Sequence, residues 1–233
     1  MMKKLRHELK FYINVREYEL LRKKLQIVLK KDENMVNEEG YHIRSLYFDN
    51  VYDSDLYEKN YGIYKRKKFR VRIYNQSDRM IKLEKKNRFG EMINKESIPI
   101  SRDEYERLLI WDYDFLLNKN NSVAKDFYLF MRTQHMSPKI IVDYVREAYK
   151  EDIEDVRITF DKFLSAGINS IDIFEKDIVT IEALNEPLMI MEVKFNSYLP
   201  DYIRDILQLD SNRRSAISKY VICREAGMTY HKQ

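Results

Sequence analysis

At 233 residues, 44% of them hydrophobic, the chain can bury one large core, and only 5 Gly and 4 Pro argue against a linker-rich or disordered polymer. A net charge of +4 excludes a strongly basic global field, so what the cations do depends on where they sit. The single cysteine, Cys223, excludes an internal disulfide or a multi-cysteine zinc site, and the longest apolar run, Pro187–Met191, is too short to span a membrane.

The first strand is expected over Arg6–Ile13, where Glu8, Lys10 and Tyr12 alternate with Leu9, Phe11 and Ile13. Asn14 with Glu17 forms a capping box that opens a helix to about Lys31, its apolar face carrying Tyr18, Leu21, Leu25 and Val28. After the polar loop 32–40 comes a strand, Tyr41–Asp49, and a short helix near Asp53–Asn60. The stretch Arg66–Arg88 reads as a hairpin turning at Asn75-Gln76-Ser77-Asp78. A strand from Met92 to Ile98 follows, carrying Lys95. Ser101 and Glu104 cap a helical stretch, Arg102–Leu117, which places Trp111 in the core of inserted helices, and Ser122–His135 is a further helix. Lys139–Tyr149 and Val156–Phe160 pair as a hairpin across the acidic turn 150–155. Asp172–Ile181 is partly strand, and Leu188–Phe195 is a strong strand. Helices over 200–209 and 213–227 close the chain, and Met189, Met191 and Cys223 read as packing residues.

The informative feature is a row of charge repeated on separate strands. In the hairpin, Lys68, Arg70 and Arg72 oppose Phe69, Val71 and Ile73, and Glu84 and Lys86 oppose Leu83 and Lys85. A solvated sheet face explains any one such row. It does not explain Glu192 and Lys194, which interrupt LMIMEVKF, a strand apolar enough to be buried on both sides. The arrangement that accommodates all the rows is α+β: a closed antiparallel β-barrel of about eight strands with a charged lumen. An N-terminal helix, inserted central helices (102–136) and C-terminal helices then pack outside, all within a single domain, 1–233. Inward cations repel one another in an empty lumen and become favourable around a chain of phosphates. The few inward glutamates suit Mg²⁺ or Mn²⁺.

Taken together, H-E-L-K-F (7–11), I-R-S-L-Y-F-D (43–49), K-F-R-V-R-I-Y (68–74), L-E-K-K (83–86), Y-V-R (144–146), V-R-I-T-F-D (156–161), M-E-V-K-F (191–195) and S-K-Y (218–220) resemble the VTC-type polyphosphate polymerase domain, a CYTH-like triphosphate tunnel metalloenzyme. Arg6 stands where the broader superfamily has the first Glu of Glu-x-Glu-x-Lys, which favours the VTC branch. The resemblance implies a tunnel in which the γ-phosphoryl of ATP is transferred to a polyphosphate chain with a divalent metal. Lys10, Arg70, Arg72, Lys86, Arg146, Arg157 and Lys219 would act on the reacting phosphates. Lys95, Lys194, Ser218, Tyr144, Arg44 and Arg66 would bind substrate, and Glu192 and Glu84 would hold the metal. The implied partners are ATP and polyphosphate or triphosphate. A peripheral membrane partner stays open, and nucleic acid is not expected, because Glu192 would repel its backbone. With no apolar signal core in MMKKLRHELKFYI, a cytoplasmic location is expected. Two other functions fit the same residues: a triphosphatase or NTPase on this scaffold, and a non-catalytic module for polyphosphate or single-stranded nucleic acid.

Overall fold

The computed structural model describes residues 5–184, 187–208 and 215–230. In chain order it places β1 (Arg6–Asn14), α1 (Val15–Val28), β2 (Lys30–Lys31), β3 (Tyr41–Asp49) and α2 (Ser54–Asn60). Next come β4 (Lys65–Tyr74), β5 (Ser77–Phe89), β6 (Met92–Ile100), α3 (Arg102–Leu109), α4 (Phe115–Asn118) and α5 (Ser122–Gln134). The rest is β7 (Ser137–Glu151), β8 (Val156–Gly167), β9 (Thr180–Glu182), β10 (Leu188–Phe195), α6 (Asp201–Leu207) and α7 (Lys219–Tyr230).

The strands pair in the order β7-β3-β4-β5-β6-β1-β10-β8, and β8 pairs back onto β7. Eight antiparallel strands therefore form a closed ring, which removes the free edges an open sheet would carry. The short strands β2 and β9 extend β7 and β8 outside that ring.

Local chemistry sets the elements. Asn14 accepts from the Glu17 amide at 3.0 Å while Glu17 accepts from the Asn14 amide at 2.9 Å, and Ser101 and Glu104 repeat this box at the start of α3. Asn75 and Gln76 both take left-handed φ, near +50°, which gives the tight β4–β5 hairpin the twist of a primed turn. The expected helix over 102–117 is broken. Trp111, at φ +65°, turns the chain after α3 so that Phe115 and Leu116 of α4 can enter the core. Trp111 itself is 47% exposed and is not a core residue. α1 ends at Val28 because Lys30 and Lys31 pair with β7. Of 172–181 only the end is strand, β9, and the last helix begins at Lys219, with 213–214 outside the described residues.

Alternation along the strands divides the packing into an outer and an inner layer. Outside, Leu46, Phe69, Val71 and Leu83 pack under Tyr105, Leu116 and Phe127 of the central helices. On the other side of the ring Phe11, Phe160, Met191 and Val193 pack under Tyr18 and Leu25 of α1 and Ile203 of α6. Each such fully buried side chain contributes on the order of 2 kcal/mol. Met189 and Met191 are packing residues as expected. Glu147 ties α1 to the wall: it is fully buried and accepts from Tyr18, Tyr149, Arg22 and Lys162. A third cluster uses the opposite face of the strands. Ile43, Tyr47, Val142, Tyr144 and Ile190 pack there against Tyr220, Val221 and the buried Cys223 of α7. The first turn of α7 is thereby placed at the lumen.

Candidate functional site

Because Phe69, Val71 and Ile73 face the outer core, β4 must turn Lys68, Arg70 and Arg72 inward. The same parity brings Glu84 and Lys86 of β5 and Lys95 of β6 to the lumen, and Glu8 and Lys10 of β1 beside Glu192 and Lys194 of β10. β7 adds Tyr144 and Arg146, β8 adds Arg157, and the α7 end adds Ser218 and Lys219. With Arg66 they line a cavity of about 400 Å³. Every predicted site residue lines it except Arg44. That side chain alternates with Ser45, whose hydroxyl accepts from Arg72, so it points to the outside of the ring. There Arg44 grips Asp143 at 2.9–3.0 Å and donates to the carbonyls of Ile173 and Glu175, clamping that segment to the wall. This removes Arg44 from the substrate-binding set.

Sequence reasoning left out several lining groups. Glu8 and Lys68 had a signal, since each shares a strand face with residues already assigned. Tyr47, on the lumen face of β3, accepts from Arg70 at 2.7 Å. Lys59 and Tyr220 come from helices, where no strand parity points at the cavity.

Each lumen carboxylate is clasped by cations. Glu192, 4% exposed, meets Lys219 and Lys194 at 2.6 Å, Lys10 at 3.2 Å and Arg146 at 3.3 Å. Glu84 meets Arg70 at 2.6 Å and Lys95 at 3.0 Å. Glu8 meets Lys86 at 2.7 Å and both Lys10 and Lys194 at 3.7 Å. Burial pushes the Glu8 and Glu192 carboxyls up, but the surrounding lysines outweigh it and hold both well below the usual range. Burial also dominates for four of the lysines, whereas Asp161 and Glu192 outweigh it at Lys219 and push that ammonium up. Burial brings Lys86 down to about 7, and Lys68, Lys95 and Lys194 down to about 8. The Glu8–Lys86 contact thus looks strong from the acid and weak from the base. The reason is stoichiometric: Glu8 has three cations around it, two of them shared with Glu192, whereas Lys86 has one carboxylate and two competitors for it.

Arg72 differs from its neighbours. It is 4% exposed and pairs with no carboxylate among the described residues; Ser45 Oγ at 2.9 Å and Tyr144 Oη at 3.0 Å are its acceptors. The Tyr144 ring also lies 5.9 Å from the Arg72 guanidinium, 5.3 Å from that of Arg146 and 5.1 Å from the Lys219 ammonium, an aromatic support for three cations. The positive end of α7 adds to the same field.

The carboxylates bear on a metal as well. Among the described residues no three His, Cys, Asp or Glu side chains form a metal-binding group. Glu84 shares no ion-pair neighbour with Glu192; its partners are Arg70 and Lys95. Glu8 does share neighbours with Glu192, namely Lys10 and Lys194. Glu8 is thus the carboxylate grouped with Glu192, while Glu84 stands apart with Arg70 and Lys95. Two carboxylates suit a hydrated Mg²⁺-like ion that completes its shell with phosphate oxygens.

The lowered lysines give the site a pH signature. A folded-state pKa below the ordinary lysine value means that holding the charge costs folding free energy at pH below about 7–8, a cost relieved as pH rises toward the unfolded value. A bound polyanion reverses this by drawing protons in. We expect tripolyphosphate affinity to fall as pH rises from 7 to 9, with net proton uptake on binding near pH 8, measured by calorimetry in buffers of different ionisation enthalpy. A flat profile would show that these lysines do not face the anion.

A family model described as VTC domain matches residues 5–227. No curated protein matches the chain. Among solved structures, a Vibrio parahaemolyticus protein provisionally described as an adenylate cyclase superposes with a TM-score of 0.51 at 11% identity, over 95% of this chain and 98% of that one. A conserved hypothetical protein from Pyrococcus furiosus gives 0.47 at 11% identity, over 91% of this chain and 96% of that one. The Mimivirus capping enzyme triphosphatase gives 0.41 at 14% identity, over 89% of this chain and 91% of that one. At 11% identity the likeness to the Vibrio parahaemolyticus protein is one of fold.

Proposed function

This chain belongs to the VTC domain family, and from that premise we propose that it is a metal-dependent polyphosphate polymerase, transferring the γ-phosphoryl group of ATP to the end of a phosphate chain held in the lumen. The observation that carries this reading is the closed ring whose inner wall gathers lysine and arginine from β1, β4, β5, β6, β7, β8, β10 and α7 around one cavity.

The chemistry asks for positioning and charge neutralisation rather than a covalent intermediate. A terminal phosphate oxygen of the chain attacks the γ-phosphorus, the bond to the bridging oxygen breaks, and ADP leaves with that electron pair. Arg70, Arg72 and Arg146 present N–H forks to non-bridging oxygens, while Lys10, Lys86, Lys194 and Lys219 supply point charges that neutralise the chain. Glu192 with Glu8 would hold the divalent ion, Mn²⁺ or Mg²⁺, which spreads charge over the phosphate oxygens when bound. Incoming phosphates compete for the lysines that now clasp these two carboxylates, so anion and metal loading reinforce each other.

The test is incubation of the purified protein with ATP and Mn²⁺, followed by gel detection of polymer. Metal-dependent accumulation of long phosphate chains with ADP is the expected result. Orthophosphate and ADP without polymer would make water the acceptor and the protein a triphosphatase. Retained tripolyphosphate binding with no turnover would make it a binding module.

A further inference from the structure

The lumen holds one more acid that lies behind the lining rather than in it. Asp161 on β8 is fully buried, and it sits directly across the strand pair from Arg146. Its two oxygens take the Arg146 fork in parallel, Nε at 2.6 Å and Nη2 at 2.7 Å, and Lys219 reaches Oδ2 at 2.5 Å. Lys219 is the first residue of α7 and also touches Glu192 at 2.6 Å. One carboxylate therefore fixes a guanidinium on β7 and the leading end of a helix that arrives late in the chain.

We propose that Asp161 is a positioning residue: it orients Arg146 and Lys219 so that their remaining N–H groups converge on a bound phosphate. The inference rests on the lumen being the phosphate site. The fork consumes one edge of the Arg146 guanidinium, Nη2 also reaches Glu192 at 3.3 Å, and Nη1 is left for an anion. The Tyr144 ring lies 5.3 Å from the Arg146 guanidinium and 5.1 Å from the Lys219 ammonium, so both cations share one aromatic support. A long-range view of the same residue predicts the opposite behaviour. By charge alone, an acid beside the cavity weakens anion binding, and removing it should help.

That opposition makes the test one of sign. Asp161→Asn raises the charge of the site by one while unpinning both cations. We expect tripolyphosphate to bind at least tenfold more weakly to this variant, read by calorimetry, with far-UV circular dichroism confirming the fold. Arg146→Ala should add little on top of Asp161→Asn, because the two changes remove the same contact. Equal or tighter binding by Asp161→Asn, or full additivity with Arg146→Ala, would overturn the proposal. Should Asp161→Asn not fold, Asp161→Glu keeps the charge and shifts the carboxylate by one methylene: weaker binding supports positioning, and unchanged binding refutes it. Wild-type protein that fails to bind tripolyphosphate would instead sink the phosphate reading of the lumen, so the two failures are distinct.

Discussion

Glu192→Gln is expected to abolish metal-dependent turnover of ATP and at the same time to lower the melting temperature of the ligand-free protein. Glu192 neutralises four cations at once, from β1, β7, β10 and α7. The amide keeps the shape of the side chain and some of its hydrogen bonding but none of its charge. Breaking a buried pair by removing one partner costs about 3 kcal/mol or more, which for a chain of this size is on the order of 10 °C in Tm. A mere metal ligand in water would show the first effect without the second. Tripolyphosphate should then raise the Tm of the variant more than that of the wild type, since the phosphate replaces the missing counter-charge. Differential scanning fluorimetry with and without tripolyphosphate checks the stability arm, and ADP release with Mn²⁺ checks the other. Full turnover by Glu192→Gln would exclude Glu192 from the metal site.

Strand parity made most of the wall legible before any coordinates. Lys68, Arg70 and Arg72 could be assigned one face because Phe69, Val71 and Ile73 demanded the other, and LMIMEVKF was decisive because an apolar strand has no solvated side on which to hide Glu192 and Lys194. Parity says which residues share a face, not which face looks inward. Arg44 shows the limit. It sits in a strand that is buried along almost its whole length, so its neighbours carried no contrast, and only the pairing of Ser45 with Arg72 reveals that it looks outward. Trp111 was misplaced for a different reason: the helical pattern of 102–117 contains no Gly or Pro at the break, and the left-handed turn there is imposed by the need to return Phe115 and Leu116 to the core. Glu8 was legible as a lumen residue, but its partnership with Glu192 depends on the register of β1 against β10, where Lys10 pairs with Glu192 and Glu8 with Lys194. Contributions from helices, such as Lys59 on α2, follow from tertiary packing alone.

Arg72→Met is expected to give the largest loss of anion binding for the smallest loss of stability. Several of the other lumen cations spend part of their charge on a carboxylate: Arg70 on Glu84, Arg146 on Asp161, Lys219 on both Asp161 and Glu192. Arg72 spends none among the described residues, and its neutral acceptors, Ser45 and Tyr144, aim its guanidinium without neutralising it. A phosphate entering the cavity therefore gains the full charge-assisted hydrogen bond from Arg72, whereas at Arg70 or Lys219 it must first displace an acid. Loss of such a bond costs about 2 kcal/mol, roughly thirtyfold in Kd. In the ligand-free protein the balance runs the other way. Removing Arg72 breaks no direct ion pair among the described residues, and methionine refills most of the volume, so the Tm should stay near that of the wild type. Arg70→Met makes the contrast, because it strands Glu84 and should lower Tm while costing less affinity. Calorimetric titration of both variants with tripolyphosphate, beside their melting curves, separates the two roles. If Arg72→Met binds normally, or if Arg70→Met is the weaker binder and the more stable protein, then pairing with carboxylates does not decide which cations of this lumen are available to phosphate.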